Sequence, residues 1–138
     1  MLTYDYPKRV RYGETDRMGY LYYGNYAQYY EIGRVEWLRN CDINYKEMEE
    51  VHGIIMPVVS LQMRFVRPAL YDELLNIRTT LKVLPDRFVT FQMEIFNESH
   101  KLVNGGTVRL CFVHSLSGKS VYAPDFLLQK LKPYFEKN

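Results

Sequence analysis

The chain has 138 residues, 18 basic and 16 acidic side chains, a formal net charge of +2 and 47% apolar types, which predicts one globular domain over 1–138 with a core that needs no disulfide or metal. No run approaches the roughly 18 apolar residues of a membrane span, and Met1-Leu2-Thr3-Tyr4-Asp5 lacks the basic-then-apolar layout of a secretory leader. A net charge of +2 is too small to carry a claim of nucleic-acid binding from charge alone, and Cys41 and Cys111 stand far apart with no CxxC spacing, so the expectation is a cytoplasmic protein with reduced thiols and a small-molecule ligand.

Tyrosine is crowded at one end: of 13, ten fall in the first 45 residues. A ring with a hydroxyl that needs a partner when buried points there to a partly polar buried helix or a lined pocket, and against disorder. Residues 3–12 carry Tyr4, Tyr6, Val10 and Tyr12 on one parity, with Lys8 the exception, and predict a first strand. Gly13, Gly19 and Gly24 then mark a loop that turns more than once. Asn25 is the expected N-cap of a helix running to about Arg39. Tyr26, Tyr30, Gly33 and Trp37 form one stripe of that helix, and Tyr29, Ile32 and Leu38 cover much of the rest, so the helix is buried. Gly33 in its middle costs about 1 kcal/mol against alanine, which predicts a close backbone approach there. A second short helix is expected over 44–52.

From Ile54 the period becomes two. Val59, Leu61, Met63 and Phe65 make one apolar face, with Pro68 ending the strand. Leu75, Ile77, Thr79, Leu81 and Val83 make the next, followed by a turn at Leu84-Pro85-Asp86-Arg87. Val89, Phe91, Met93 and Ile95 alternate up to a turn at Asn97-Glu98-Ser99-His100, and Val108, Leu110 and Phe112 continue after Gly105-Gly106. Short connections predict an antiparallel meander with one buried face. Pro124 to Phe135 reads as a closing amphipathic helix. A single-faced sheet and an all-round apolar helix bury each other best when the sheet curls around the helix, giving an α+β fold in the order β–α–β–β–β–β.

The richest chemistry lies between Glu14 and Tyr26. Asp16 sits in a glycine-flanked loop a few residues before a helix N-terminus, where free N–H groups and the helix dipole favour developing negative charge. The N–H of Tyr23 or Gly24 can stabilise a tetrahedral oxyanion, and Asp16 can attack a carbonyl carbon or activate water for attack. On pattern alone, Asp16 as the cap of a turn stays open beside this.

The stretch Asp16-x-x-Gly19-x-x-x-Tyr23-x-Asn25-Tyr26, after a strand ending Val10-Arg11-Tyr12, resembles the signature of the 4-hydroxybenzoyl-CoA thioesterase branch of hotdog-fold proteins. The likeness continues through Tyr30 to Trp37-Leu38-Arg39, Pro57 and the later strands, over roughly residues 5 to 115. It implies a hotdog fold, an antiparallel sheet of five to six strands around one long central helix. It implies hydrolysis of acyl-CoA thioesters with no metal or other cofactor, CoA entering as part of the substrate. Asp16 would be the nucleophile or general base, and the Tyr23 backbone N–H would polarise the carbonyl. Gly19, Tyr20 and Gly24 would belong to the substrate site, and Arg87, Phe88 and Thr90 to the hairpin that holds pantetheine and phosphates. Edge-to-edge homodimers, pairing further into homotetramers, would carry the sites at their interface, with neither nucleic acid nor membrane as a partner.

Met18 and Tyr20 flank Gly19 where many relatives carry small residues, so Tyr20 is expected to shape the mouth of the acyl site. Glu31, inside the helix, is a second candidate carboxylate, with pairing to Arg34 as its structural reading. His52, His100 and His114 have no metal-ligand spacing, Cys111 has no neighbouring base, and Ser60 lacks a nucleophile elbow. Tyr22, Tyr29 and Tyr30 are expected to pack with hydroxyls at the surface or the dimer seam. Alternatives are hydrolysis of acyl-carrier-protein thioesters in lipid metabolism and a non-catalytic acyl-CoA binding module. A hydratase would want a histidine near the active loop, and none occurs between residues 1 and 51.

Overall fold

A computed structural model describes residues 1–136. Strand β1 (Leu2–Arg9) leads through single 3-10 turns at Tyr12–Glu14 and Tyr23–Asn25 into helix α1 (Tyr26–Asn40), then α2 (Tyr45–Glu50). Strands β2 (Ile54–Ile55), β3 (Val58–Phe65), β4 (Leu74–Leu81), β5 (Phe88–Phe96), β6 (Leu102–His114) and β7 (Ser120–Val121) follow, and α3 (Asp125–Phe135) closes the chain. The fold is the expected α+β hotdog. Its antiparallel sheet has seven strands rather than five or six, because β2 and β7 add two-residue pairings along the C-terminal end of β6.

Helix α1 is buried as its composition demands: Tyr26, Tyr29, Tyr30, Gly33, Trp37 and Leu38 all lie in the core. A Cβ on Gly33 would stand 2.6 Å from Ile77 Cγ2 and 2.8 Å from Thr79 Oγ1, so the glycine lets the helix backbone settle onto β4. The helix ends where Asp42 turns to φ 60° and the Ile43 N–H reaches back to the Leu38 carbonyl. Asn25 holds the expected N-cap position, but its side chain does not cap the helix. Helical geometry already begins at Tyr23, Asn25 is itself helical, and its side chain donates instead to the Glu14 carbonyl at 2.8 Å.

Three strand expectations are corrected. The first strand stops at Arg9, and Tyr12 stands exposed in the turn that follows. The glycine pair lies inside β6 rather than before it. A Cβ on Gly106 would come 2.0 Å from the Gln62 carbonyl and 2.9 Å from the Tyr30 hydroxyl, so the glycine marks a close approach and not a turn. The strands also do not form a meander: β3 pairs with β6, while β4 lies between β1 and β5. Residues 66–73 carry the chain from one side to the other, longer than a hairpin loop. Val66 and Arg67 donate to the Val103 carbonyl, and Leu21 donates to that of Ala69.

This order leaves β3 on an edge. Leu61 is opposite Val108 and Phe65 opposite Asn104, so both point to the core side. Yet Val58, Leu61 and Phe65 are 48%, 42% and 53% exposed, because α1 packs on β1, β4 and β5 and reaches this strand only where Tyr26 meets the edge of Phe65. The face expected to be buried is covered only from β1 to β6. Tyr29 and Tyr30 correct in the opposite sense: both are fully buried, and their hydroxyls bond inside the chain, to Glu14 and Asn104.

Candidate active site

Thr15 and Leu21 bridge in antiparallel fashion, and the five residues between them form a closed turn on Asp16. The Asp16 N–H donates to the Tyr20 carbonyl at 2.8 Å, and the Gly19 N–H to the Asp16 carbonyl at 3.0 Å. Gly19 takes φ 80°, which only glycine adopts at little cost. The carboxylate is oriented by its own loop: Oδ1 accepts from the N–H of Met18 (2.8 Å) and of Tyr20 (3.2 Å). Asp16 does hold a turn, and it also lines a cavity of about 350 Å³.

The rest of that wall is aromatic and apolar, from Met18, Tyr20, Leu21, Tyr23, Tyr26 and Phe65, with Arg67 at the side. Tyr26 and Phe65 meet edge to face at 5.2 Å between centroids. Burial, with the Glu73 and Asp16 carboxylates nearby, holds the Tyr26 hydroxyl above its ordinary value, so it stays protonated. Tyr23 opens the helical run, where the first N–H groups have no acceptor within the helix. Gly24 does not line the cavity. The Tyr22 ring lies over it, and a Cβ there would meet that ring at 2.6 Å.

Behind the cavity stands a polar knot that the sequence reading passed over. Lys8, the one charge on the inner parity of β1, pairs at 3.0 Å with Glu14, which also accepts from the Tyr29 hydroxyl at 2.7 Å and the Arg11 N–H at 2.8 Å. Partial burial opposes ionisation of Glu14, but Arg11, Tyr29 and Lys8 together outweigh it and hold the carboxyl below its ordinary value. The parity break at Lys8, with a carboxylate in the loop ahead, was the available signal. Phe65 and Arg67 were also missed as site residues, since nothing local marks them as neighbours of Asp16.

Asp16, Tyr20 and Tyr23 therefore come together, with Gly19 shaping their turn. Arg87, Phe88 and Thr90 do not join them. Thr90 pairs with Arg109 and Phe65 with Asn104, five residues apart along β6, roughly 17 Å at the usual strand rise. There the Arg87 guanidinium lies 4.7 Å above the Tyr122 ring, and Arg109 lies 3.8 Å above Phe88. Glu31 is exposed and outside the cavity, and Arg39 pairs with Glu36. Among the described residues, no group of three or more His, Cys, Asp or Glu is placed to hold a metal, and no helix is long and apolar enough to cross a membrane.

Known proteins share this framework. The acyl-CoA thioester hydrolase YbgC of Escherichia coli is 26% identical over 127 residues, 92% of this chain and 94% of its own. The acyl-CoA thioesterase YbgC of Helicobacter pylori is 35% identical over 88 residues, 64% of this chain and 63% of its own. The crystal structure of a DHNA-CoA thioesterase from Staphylococcus aureus superposes with a TM-score of 0.86 at 27% identity, covering 100% of this chain and 98% of that one. The profile of the thioesterase-like superfamily matches residues 10–131, past the strands and into α3. The chain belongs to the thioesterase-like superfamily and is a hotdog-fold thioester hydrolase.

Proposed function

We propose that the chain hydrolyses an acyl-CoA to the free acid and CoA, with Asp16 and the Tyr23 N–H as its catalytic groups. The observation that carries this is their meeting in one cavity whose other walls are aromatic and apolar. With the acyl group against that wall, the carbonyl oxygen accepts from the Tyr23 N–H, where the helix terminus stabilises the charge that develops. The carbonyl carbon then takes its new bond from the Asp16 carboxylate or from a water whose proton Asp16 removes. The C–S bond breaks and CoA leaves as the thiol after protonation. In the first route water then opens the acyl–Asp16 anhydride, so both routes end in the same products. Water is the only co-reactant, and no metal or cofactor takes part.

The working unit in this reading is a homodimer joined through β3. That strand has a free edge and apolar side chains uncovered on its inner face, an arrangement that calls for a partner strand. Antiparallel pairing of two β3 strands about a two-fold axis brings the Phe65 end of one chain beside the Val58 end of the other. The Arg87–Thr90 hairpin of the second chain then approaches Asp16 of the first, closing the distance that separates them within one chain. Arg87 and Phe88 serve the CoA moiety there. The cytoplasm is the proposed location, supported by two free cysteines, of which burial pushes the Cys41 thiol up to about 11.

The test follows free thiol while wild type and Asp16→Asn are incubated with acyl-CoAs of several chain lengths and with aromatic acyl groups. Release by wild type with loss in Asp16→Asn is the expected result. No release from any acyl-CoA overturns the activity, and equal rates in the two proteins overturn the role of Asp16.

A further inference from the structure

Glu14, two residues before Asp16, ties the Asp16 turn to β1, to α1 and to the backbone that leads into Tyr23. Its side chain holds β1 through Lys8 and the second turn of α1 through Tyr29. Lys8 Nζ adds a second hold, 4.9 Å from the centroid of the Tyr29 ring. The Glu14 carbonyl holds the other arm, accepting from the Tyr22 N–H at 2.9 Å and from Asn25 Nδ2 at 2.8 Å. One residue thus fixes the backbone leading to Asp16 and the backbone leading to the Tyr23 N–H. The side chains of Lys8 and Glu14 are only 17% and 21% exposed, so the pair is shielded from the screening that makes surface pairs slack.

We infer that Glu14 is a positioning residue for thioester hydrolysis, setting the Asp16 carboxylate against the Tyr23 N–H without touching substrate. This rests on the roles proposed above for Asp16 and Tyr23. The attacking group and the oxyanion donor reach the same carbonyl from two separate backbone arms, and a misplacement of about 1 Å between such groups can cost on the order of 100-fold in rate. The Asp16 turn is closed by its own hydrogen bonds, and the Glu14 carbonyl survives substitution, so loss of the Glu14 side chain frees the turn from β1 and α1 and leaves it folded. Neither the acyl wall nor the Arg87 hairpin includes Glu14, so substrate affinity is preserved.

The experiment uses the full chain with whichever of hexanoyl-CoA and benzoyl-CoA wild type hydrolyses faster, followed by free thiol well below the melting temperature. Glu14→Ala is expected to lower kcat about 100-fold with KM within about threefold, the pattern of a lost transition-state arrangement. Glu14→Gln keeps an acceptor for Arg11 and Tyr29 but loses the charge facing Lys8, and restores about tenfold of that loss. Tyr29→Phe, which deletes one donor and leaves Lys8 and Arg11 on Glu14, lowers kcat about three- to tenfold. A purely structural Glu14 lowers the melting temperature and leaves kcat per folded protein within about twofold in all three variants, which overturns the inference. Should Glu14→Ala fail to fold, Glu14→Gln and Tyr29→Phe decide by the same criterion. Asp16→Asn, run alongside, separates the two claims. If it is inactive while the Glu14 and Tyr29 variants keep kcat, only the positioning role falls. If it keeps kcat, the reading of Asp16 falls and this inference with it.

Discussion

The hydroxyl of Tyr30 on α1 donates to Oδ1 of Asn104 on β6, a pair buried between helix and sheet. Asn104 Nδ2 is buried with no partner among the described residues, so the amide already forgoes part of its bonding. Tyr30→Phe removes the partner of the Asn104 side chain and is expected to cost about 1–3 kcal/mol in urea unfolding. Adding Asn104→Leu deletes the stranded group, and the double variant should recover part of that loss. A double variant less stable than Tyr30→Phe would show that the asparagine contributes by shape rather than by this bond.

The close approaches at Gly33 and Gly106 should respond differently to alanine. At Gly33 the new methyl meets Ile77 Cγ2 and Thr79 Oγ1, side-chain atoms on the Cβ of buried β-branched residues, so the helix must ease away from β4. Helix propensity returns about 1 kcal/mol of the strain, so a net loss of about 1–2 kcal/mol is expected. At Gly106 the methyl meets the Gln62 carbonyl at 2.0 Å, and backbone must move. Gly106→Ala should therefore lower the melting temperature well beyond Gly33→Ala, and equal melting temperatures would refute the contrast.

These glycines also show how far the sequence was legible. Gly33 was readable because it interrupts a 3.6-residue stripe, and a glycine inside a helix calls for a close approach. The pair Gly105-Gly106 reads as the boundary after which the alternation continues, and only the pairing with β3 shows what Gly106 accommodates. Residue period announces strands but not their partners, so the crossover that puts β3 on β6 could not be read from alternation. The site divides the same way. Asp16, Gly19, Tyr20 and Tyr23 are contiguous, and one motif finds them. Phe65 and Arg67 reach the cavity through the tertiary path of residues 66–73, and Glu14 hides behind a lysine that breaks parity.

Glu14 also predicts an acid dependence. Its carboxyl is held below the ordinary value of 4.5, so the native state favours the ionised form more than the unfolded chain does. The resulting stabilisation is full above pH 4.5 and is lost as pH falls through the lower folded-state value. Wild type should melt higher than Glu14→Gln at pH 7, with the gap narrowing steadily below pH 4.5. A gap that stays constant into acid would mean that the charge of Glu14 contributes nothing.

The dimer through β3 makes the sharpest demand. Leu61, exposed on the inner face of the free edge, should not tolerate a charge if a second chain covers it. Leu61→Lys is expected to yield monomers in sedimentation and to abolish hydrolysis while the fold persists. If each site joins Asp16 of one chain to Arg87 of the other, two inactive variants can repair each other. Asp16→Asn homodimers and Arg87→Ala homodimers each lack a complete site. A mixed dimer has one site with both residues intact and one with neither, so an equal mixture that exchanges subunits should regain about a quarter of wild-type sites. Were both residues used within a single chain, mixing would restore nothing. Recovery after subunit exchange, measured against the unmixed variants, therefore reports directly on which chain supplies the hairpin.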